Sequence, residues 1–294
     1  MKILLCTDGS AHGQEALRFG AALARASAEP ATLLAVAEHA SDQPTVERAL
    51  EEGQRWVGDA PAPTVKVRRG HPAEQILEEA RPADYDLVVV GARGRRGLTR
   101  FLLGSTAERI VRDARLPVLV FRGPRRDLNR ILICTGGQPQ GLAVVEFGGR
   151  VARLAEAEAT VLHVMSQLPA SPVAEDEPTV LDGMTRLPAM PLSLTGNLDD
   201  LESSAEDLMA RETREGKHLR QALDILSEMG VKGRAIVRHG LVVDEISAEA
   251  CGPDYGLIAV GAHSAKGWMR WLLDDVAQEI MNACLDRPIL VVKA

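Results

Sequence analysis

Glycines at a fixed spacing follow an apolar run in the first half of the chain. Gly91 and Gly94 come directly after residues 87–90, and nine further residues separate Gly94 from Gly104 and Ser105. Glycine lets the backbone approach a ligand closely, because no Cβ intervenes. Gly104 and Ser105 come just before a helix predicted to begin near Thr106, whose first N–H groups are free to bind an anion. The spacing therefore predicts an anion-binding site suited to phosphate.

A carboxylate follows the first apolar run of the chain. Asp8 comes after residues 3–7, and a strand order of 3-2-1-4-5 would bring it beside Gly91. Its side chain could contact a bound ligand, or it could cap the helix that follows, a role that aspartate fills well. Four nearby arginines could neutralise phosphate or form a solvated basic face: Arg93, Arg95, Arg96 and Arg100.

Other signatures of phosphate binding and catalysis are missing from the sequence. There is no Gly-x4-Gly-Lys-Ser/Thr motif, and residues 91–94 lack the Gly-x-Gly of a dinucleotide fold. Ser10 and His12 are close in sequence, but no acidic third member and no nucleophile-elbow pattern accompanies them. No Cys/His spacing resembles a zinc site. We therefore predict no catalytic residues and no metal ligands supplied by side chains.

The chain is an internal repeat, and only the first copy keeps the glycine spacing. Residues 1–39 align without a gap on residues 129–167, and the ends of the copies align again at an offset of 170. The second copy has these replacements: Gly136 for Asp8, Gln138 for Ser10, Ser264 for Gly94, Asp274 for Gly104 and Asp275 for Ser105. Two carboxylates at a phosphate position repel a triphosphate. We therefore expect binding in the first copy only.

The elements that position these residues alternate between strand and helix. Short apolar runs predict strands at residues 3–7, 32–36, 65–69, 87–90 and 117–121, and at 131–135, 160–164, 234–237, 257–260 and 288–292. The predicted fold class is α/β, with two tandem open parallel five-stranded sheets, helices on both faces and strand order 3-2-1-4-5. We expect domains at residues 1–124 and 125–294, here called the first and second units, with an insertion at about 167–217. The insertion is interpreted as a tolerated surface segment, with partner binding as the alternative.

Composition limits the classes of function. Acidic residues outnumber basic ones by 41 to 34 and aromatics are 3% of the chain, which disfavours nucleic-acid binding. No apolar run approaches the roughly 20 residues of a membrane span, and the first residues do not fit a signal peptide. Four cysteines in a chain of this length are expected to be free thiols. We therefore expect a cytoplasmic protein without a membrane span.

The pattern Gly-x2-Gly-x9-Gly-Ser after a buried strand, with Asp after the first strand, resembles the ATP-binding class of the universal stress protein family. The resemblance covers both units apart from the insertion, and it implies an adenine-nucleotide alpha-hydrolase-like fold. The implied contacts are Asp8 and Val36 for the adenosine, Gly91 for the ribose, and Gly94, Gly104, Ser105 and the Thr106 backbone N–H for the phosphates. The resemblance also implies Mg²⁺ bound through the phosphates.

The leading hypothesis is an ATP-binding stress-response regulatory protein, in which nucleotide occupancy biases the conformation or an unidentified protein partner. Residues 117–121 and 288–292 resemble the family's dimerisation strands, which implies an intramolecular pseudo-dimer and allows a homodimer. One rival is a slow ATP hydrolase, at most a weak ATPase, although no obvious general base is placed to activate water. The other rival is a nucleotide-independent interaction scaffold built around the insertion.

Overall fold

The computed structural model describes residues 1–58, 61–81, 84–93, 103–124, 127–165, 203–250, 252, 255–262 and 275–293. Gly94, Ser264 and Asp274 lie outside this part of the chain, as do Arg95, Arg96 and Arg100 and most of the predicted insertion. The segment from Gly91 to Ser105 and its counterpart from Gly261 to Asp275 are therefore described only at their two ends.

Strands and helices alternate through the first unit, as the sequence predicts. Its elements are β1 (Ile3–Thr7), α1 (Ala11–Ala26), β2 (Thr32–Ala37), α2 (Gln43–Val57), β3 (Thr64–Arg69), α3 (Pro72–Glu79), β4 (Leu87–Gly91), α4 (Ser105–Asp113) and β5 (Val118–Phe121). Every residue of β1, β2 and β5 is buried, because helices cover both faces of the sheet. This burial explains why these strands are continuous apolar runs in the sequence.

The second unit repeats this order with additions after its second strand. Its elements are β6 (Arg130–Thr135), α5 (Pro139–Leu154), β7 (Glu158–Met165), α6 (Ala205–Ala210), α7 (Arg214–Glu228), β8 (Gly233–His239), α8 (Val242–Ala250), β9 (Leu257–Ala262), α9 (Asp275–Ala283) and β10 (Ile289–Lys293). α7 packs on α5 as α2 packs on α1, so α7 is the counterpart of α2. The sequence did not lead us to predict α2. The additional residues therefore lie between β7 and α7, and the predicted insertion overlaps α7 at residues 214–217.

The sheet has the strand order β3-β2-β1-β4-β5-β10-β9-β6-β7-β8. Each unit therefore has the predicted order 3-2-1-4-5, and its neighbouring strands are parallel. β5 and β10 pair antiparallel, with Val120 opposite Ile289. This pairing joins the two five-stranded sheets into one of ten strands.

Buried side chains fill both sides of this sheet. One layer lies beneath α1, α2, α5 and α7, and the other beneath α3, α4, α8 and α9. Both layers continue across the junction of the units, so the core does not divide where the repeat does. Among the described helices, none is long and apolar enough to cross a membrane.

Candidate functional site

A cavity of about 550 Å³ lies at the carboxyl ends of β1, β2 and β4 in the first unit. β1 stands between β2 and β4, where the strand order reverses, and open α/β sheets bind ligands at such points. Six of the seven predicted site residues line this cavity: Asp8, Val36, Gly91, Gly104, Ser105 and Thr106. The seventh, Gly94, is outside the described residues. A cavity of this size fits a ligand as large as a nucleotide.

The loop after β1 decides which side chain caps α1. The Ser10 hydroxyl accepts a hydrogen bond from the Gly13 N–H at 3.0 Å, and Ser10 is the N-cap residue of the helix. The Asp8 carboxylate accepts the Ser10 N–H, also at 3.0 Å, and stabilises the turn rather than the helix. Gly9 in this turn has a φ of +75°, a conformation that favours glycine. Of the two roles left open for Asp8, capping thus belongs to Ser10.

The start of α4 supplies backbone donors to the cavity. Gly104 is the N-cap residue and provides no side-chain hydrogen bond. The first N–H groups of α4, from Ser105 onwards, therefore lack an intrahelical acceptor and carry the positive end of the helix dipole. The Ser105 side chain is exposed and adds a hydroxyl donor. This end of the cavity has the chemistry of an anion site.

Hydrogen bonds from the sheet hold the start of α4 in place. The Gly104 N–H donates to the Ala92 carbonyl at 2.8 Å, and the Ala92 N–H donates to the Phe121 carbonyl at 2.8 Å. Ala92 follows β4 and Phe121 ends β5, so the second of these bonds extends the ladder between the two strands, and the first attaches the start of α4 to it. The anion site is therefore fixed by the sheet itself, and preorganised donors are the effective ones.

The wall over the sheet is apolar. It includes Cys6 from β1, Val36 from β2, Val90 from β4, Ile76 from α3 and Ala107 from α4, all of them buried. Burial raises the pKa of the Cys6 thiol, so this side chain is a neutral part of the wall. Such a wall can cover the face of an aromatic base.

Several lining residues were missed by the sequence analysis. Glu38 and Asp42 follow β2, while His71 and Pro72 begin α3. Their position directly after strands was a usable signal, because loops at the carboxyl ends of parallel strands share one edge of the sheet. Arg93, for which phosphate contact and a solvated face were both open, lines the cavity.

Charge is unevenly distributed along the cavity. Asp8 follows β1 and both Glu38 and Asp42 follow β2, whereas Arg93 follows β4 and lies on the side of α4. The sheet order therefore places carboxylates at one end and a guanidinium with the helix dipole at the other. A ligand with a neutral polar head and an anionic tail matches this arrangement.

A buried carboxylate anchors α3, the helix that contributes Ile76 to the wall. Glu79 at the end of α3 accepts hydrogen bonds from Lys66 Nζ at 2.6 Å, Arg68 Nη2 at 2.5 Å and the Tyr85 hydroxyl at 2.9 Å. Burial alone would raise the pKa of Glu79, but these three donors outweigh it and lower that pKa.

The same arrangement recurs in the second unit. Glu249 accepts hydrogen bonds from Arg238 and from the Tyr255 hydroxyl, the latter at 2.7 Å, and its pKa is lowered by these donors against the effect of burial. Because the cluster occurs in both units, we interpret it as a structural anchor of the fold rather than as part of one site.

The second unit differs where the first has its cavity. Gly136 occupies the place of Asp8, and Gln138, the N-cap residue of α5, makes no side-chain cap hydrogen bond. α9 begins at Asp275, as α4 begins at Ser105. The positions that would bind an anion and cap the helix in the first unit thus carry different chemistry in the second.

Two buried histidines of the second unit contact Thr135, the last residue of β6. His163 Nδ1 lies 3.1 Å from the Thr135 carbonyl oxygen, and His218 Nε2 lies 2.6 Å from the Thr135 hydroxyl oxygen. Burial, and then the neighbouring His163 and Arg214, lower the pKa of His218, while Glu215 has the opposite effect. His163 is 6% exposed and is therefore a packed core residue.

The fold and the site together define a tandem α/β protein with a cavity at a strand-order reversal. The whole chain resembles a solved universal stress protein structure from Archaeoglobus fulgidus, with a TM-score of 0.65 and 18% identity over 99% of this chain and 96% of that one. At this identity the likeness establishes the fold.

The sequence comparisons identify the family. The model of the universal stress protein family matches residues 1–122 and 128–293. The chain therefore belongs to the universal stress protein family, with two copies of its domain.

Individual relatives match parts of the chain. A universal stress protein of Thermus aquaticus is 34% identical over 41% of this chain and 97% of its own length. One from Mycobacterium tuberculosis is 31% identical, and the alignment spans 54% of this chain and 64% of that protein.

Proposed function

We propose that the first unit binds ATP and that the protein is a nucleotide-dependent regulator of the stress response, acting in the cytoplasm. The observation that carries the proposal is the single cavity at the β1–β4 junction that collects Asp8, Val36, Gly91, Gly104, Ser105 and Thr106. These residues come from four separate elements, and only a ligand site gives a common reason for their types.

The uneven charge of the cavity orients the nucleotide. The adenosine lies over the apolar wall near Val36, with Asp8 within reach of its polar groups. The triphosphate extends toward α4, where backbone N–H groups and the Ser105 hydroxyl donate to it and Arg93 offsets its charge. The reverse orientation would place the phosphates beside Glu38 and Asp42, which is unfavourable.

The donors at the start of α4 fit a triphosphate, because they are hydrogen-bond donors and not carboxylates. We place Mg²⁺ on the phosphate oxygens and water, which is how nucleotide sites commonly hold this ion. When bound, it offsets phosphate charge. Gly94, in the place implied by the family resemblance, completes the proposed contacts.

We propose that the second unit does not bind ATP. In the sequence, Asp275 replaces Ser105 as the first residue of the corresponding helix, α9, and Gly136 replaces Asp8. The second unit then serves as a scaffold for the first, held through β5 and β10.

Titration calorimetry with MgATP on the full chain tests both proposals. We expect one site per chain, and we expect Gly104→Asp with Ser105→Asp to abolish it, since two carboxylates then face the phosphates. Ser204→Asp is the matched control, because Ser204 caps α6 outside the cavity and aspartate is also a good cap. Two equivalent sites, or a double variant that binds normally, would contradict the proposal.

A further inference from the structure

Arg122 connects the first unit to a helix of the second. It directly follows β5, and it is 5% exposed. Its Nη1 donates to the carbonyl of Met281 and, at 3.2 Å, to the carbonyl of Cys284. Both carbonyls belong to the C-terminal end of α9, where unpaired acceptors and the negative end of the dipole favour a cation. An arginine of the first unit thus caps a helix of the second.

This cap is incompletely satisfied. Arg122 Nε is buried and has no hydrogen-bond partner among the described residues. Burial is the main cause that lowers the pKa of Arg122, and the charge of Arg93 lowers it further. Cys284 acts in the opposite direction. A guanidinium stays charged under these conditions, so its proximity to Arg93 is a repulsion. Arg93 also lines the cavity in which we propose that the nucleotide binds.

The backbone links the same two places. Gly104, the N-cap residue of α4, donates to Ala92, and Ala92 donates to Phe121, the residue before Arg122. On the other side, Gly123 has a φ of +73°, and a Cβ placed on it would lie 2.2 Å from the Asp286 carbonyl oxygen. The segment that carries Arg122 therefore contacts the start of α4 through Ala92 on one side and the second unit on the other.

We propose that nucleotide bound in the first unit is coupled to the second unit through Arg122, so that occupancy strengthens the cap on α9. The inference rests on the function proposed above. Phosphate placed beside Arg93 offsets the charge that repels Arg122. Coupling is reciprocal, so loss of the cap lowers the affinity for nucleotide by the same factor.

Hydrogen exchange of the full chain, with and without saturating MgATP, tests the coupling. In the wild type we expect ATP to slow exchange at the amides of residues 281–284 roughly five- to tenfold, a range common for coupled sites. In Arg122→Met this slowing is lost, while calorimetry still detects ATP at an affinity lowered by a similar factor.

Two further variants keep the test sharp. Arg287→Met is the matched control, since Arg287 is 2% exposed and donates to the Tyr255 carbonyl of its own unit at 3.2 Å. It should retain the ATP-dependent slowing even if the protein becomes less stable. If Arg122→Met does not fold, Arg93→Gln leaves the cap in place but removes the repulsion, and it should reduce the effect of ATP on α9.

The outcomes separate the inference from the proposed function. An absence of binding heat in the wild type overturns both. Binding heat with unchanged exchange at residues 281–284 overturns the coupling alone, as does an Arg122→Met protein that keeps the ATP-dependent slowing.

Discussion

A Cβ placed on Gly91 would lie 2.9 Å from the carbonyl oxygen of His12. This distance is shorter than real contacts allow, and the atom that it meets is backbone in the first turn of α1. The glycine that ends β4 is thus required by the packing of a helix start against the sheet, in addition to any contact with a ligand. The approach brings the loop after β1 and the end of β4 to the same cavity.

Gly91→Ala should therefore damage both the fold and the site. We expect a loss of about 1–3 kcal/mol in unfolding free energy, as for other overpacked positions, together with weaker ATP binding. Chemical denaturation and calorimetry measure the two effects. Gly136→Ala is the control, because a Cβ there meets nothing within 4 Å. Equal stability of the two variants would show that α1 moves away at little cost.

The roles of Asp8 and Ser10 can be separated. Asp8→Ala should lower ATP affinity at least tenfold, since we assign its carboxylate to the nucleoside. Ser10→Ala should cost about 1 kcal/mol of stability through the lost cap on α1, with a smaller change in affinity. Calorimetry and denaturation on both variants distinguish these effects. Normal affinity in Asp8→Ala would remove Asp8 from the site.

Glu79 should make stability depend on pH in the acid range. Its folded pKa lies below the unfolded value of about 4.3, so its contribution is present above that pH and is lost as pH falls through the folded pKa. Glu79→Gln should therefore lower the unfolding free energy at pH 7 and reduce its decline below about pH 4.3. Glu78→Gln is the matched control, because Glu78 is 51% exposed and its ion pair with Arg68 is 3.7 Å long. Equal effects of the two substitutions would contradict the anchor role.

His218 should make the free energy of unfolding depend on pH near neutrality. Its folded pKa is below the unfolded value of about 6.5, so the unfolded chain takes up the proton first. Stability is therefore complete above pH 6.5 or so and is lost as pH falls from there toward the folded pKa. The titration of the His218 ring followed by NMR should have a midpoint below the ordinary histidine value of about 6.5. His218→Gln should flatten the pH dependence in this window, and an unchanged slope would argue against it.

Local patterns were sufficient for most of the fold. The buried strands are apolar runs because both sheet faces are covered. The repeat shows the same succession of strands along the chain twice. α2 was not predicted from the sequence. The amphipathic pattern of α2 is nevertheless present in the sequence at residues 43–57.

The sequence by itself determined the repeat, the alternation of strands and helices and the spacing from Gly91 to Ser105, because these can be read from the order of residue types along the chain. Tertiary structure alone decided that Arg122 caps α9 and that Thr135 lies against His218, 83 residues away. It also decided that Glu38 and His71 share a cavity with Ser105. Such contacts depend on how whole elements pack, and packing joins distant residues by shape and burial, which no local pattern records.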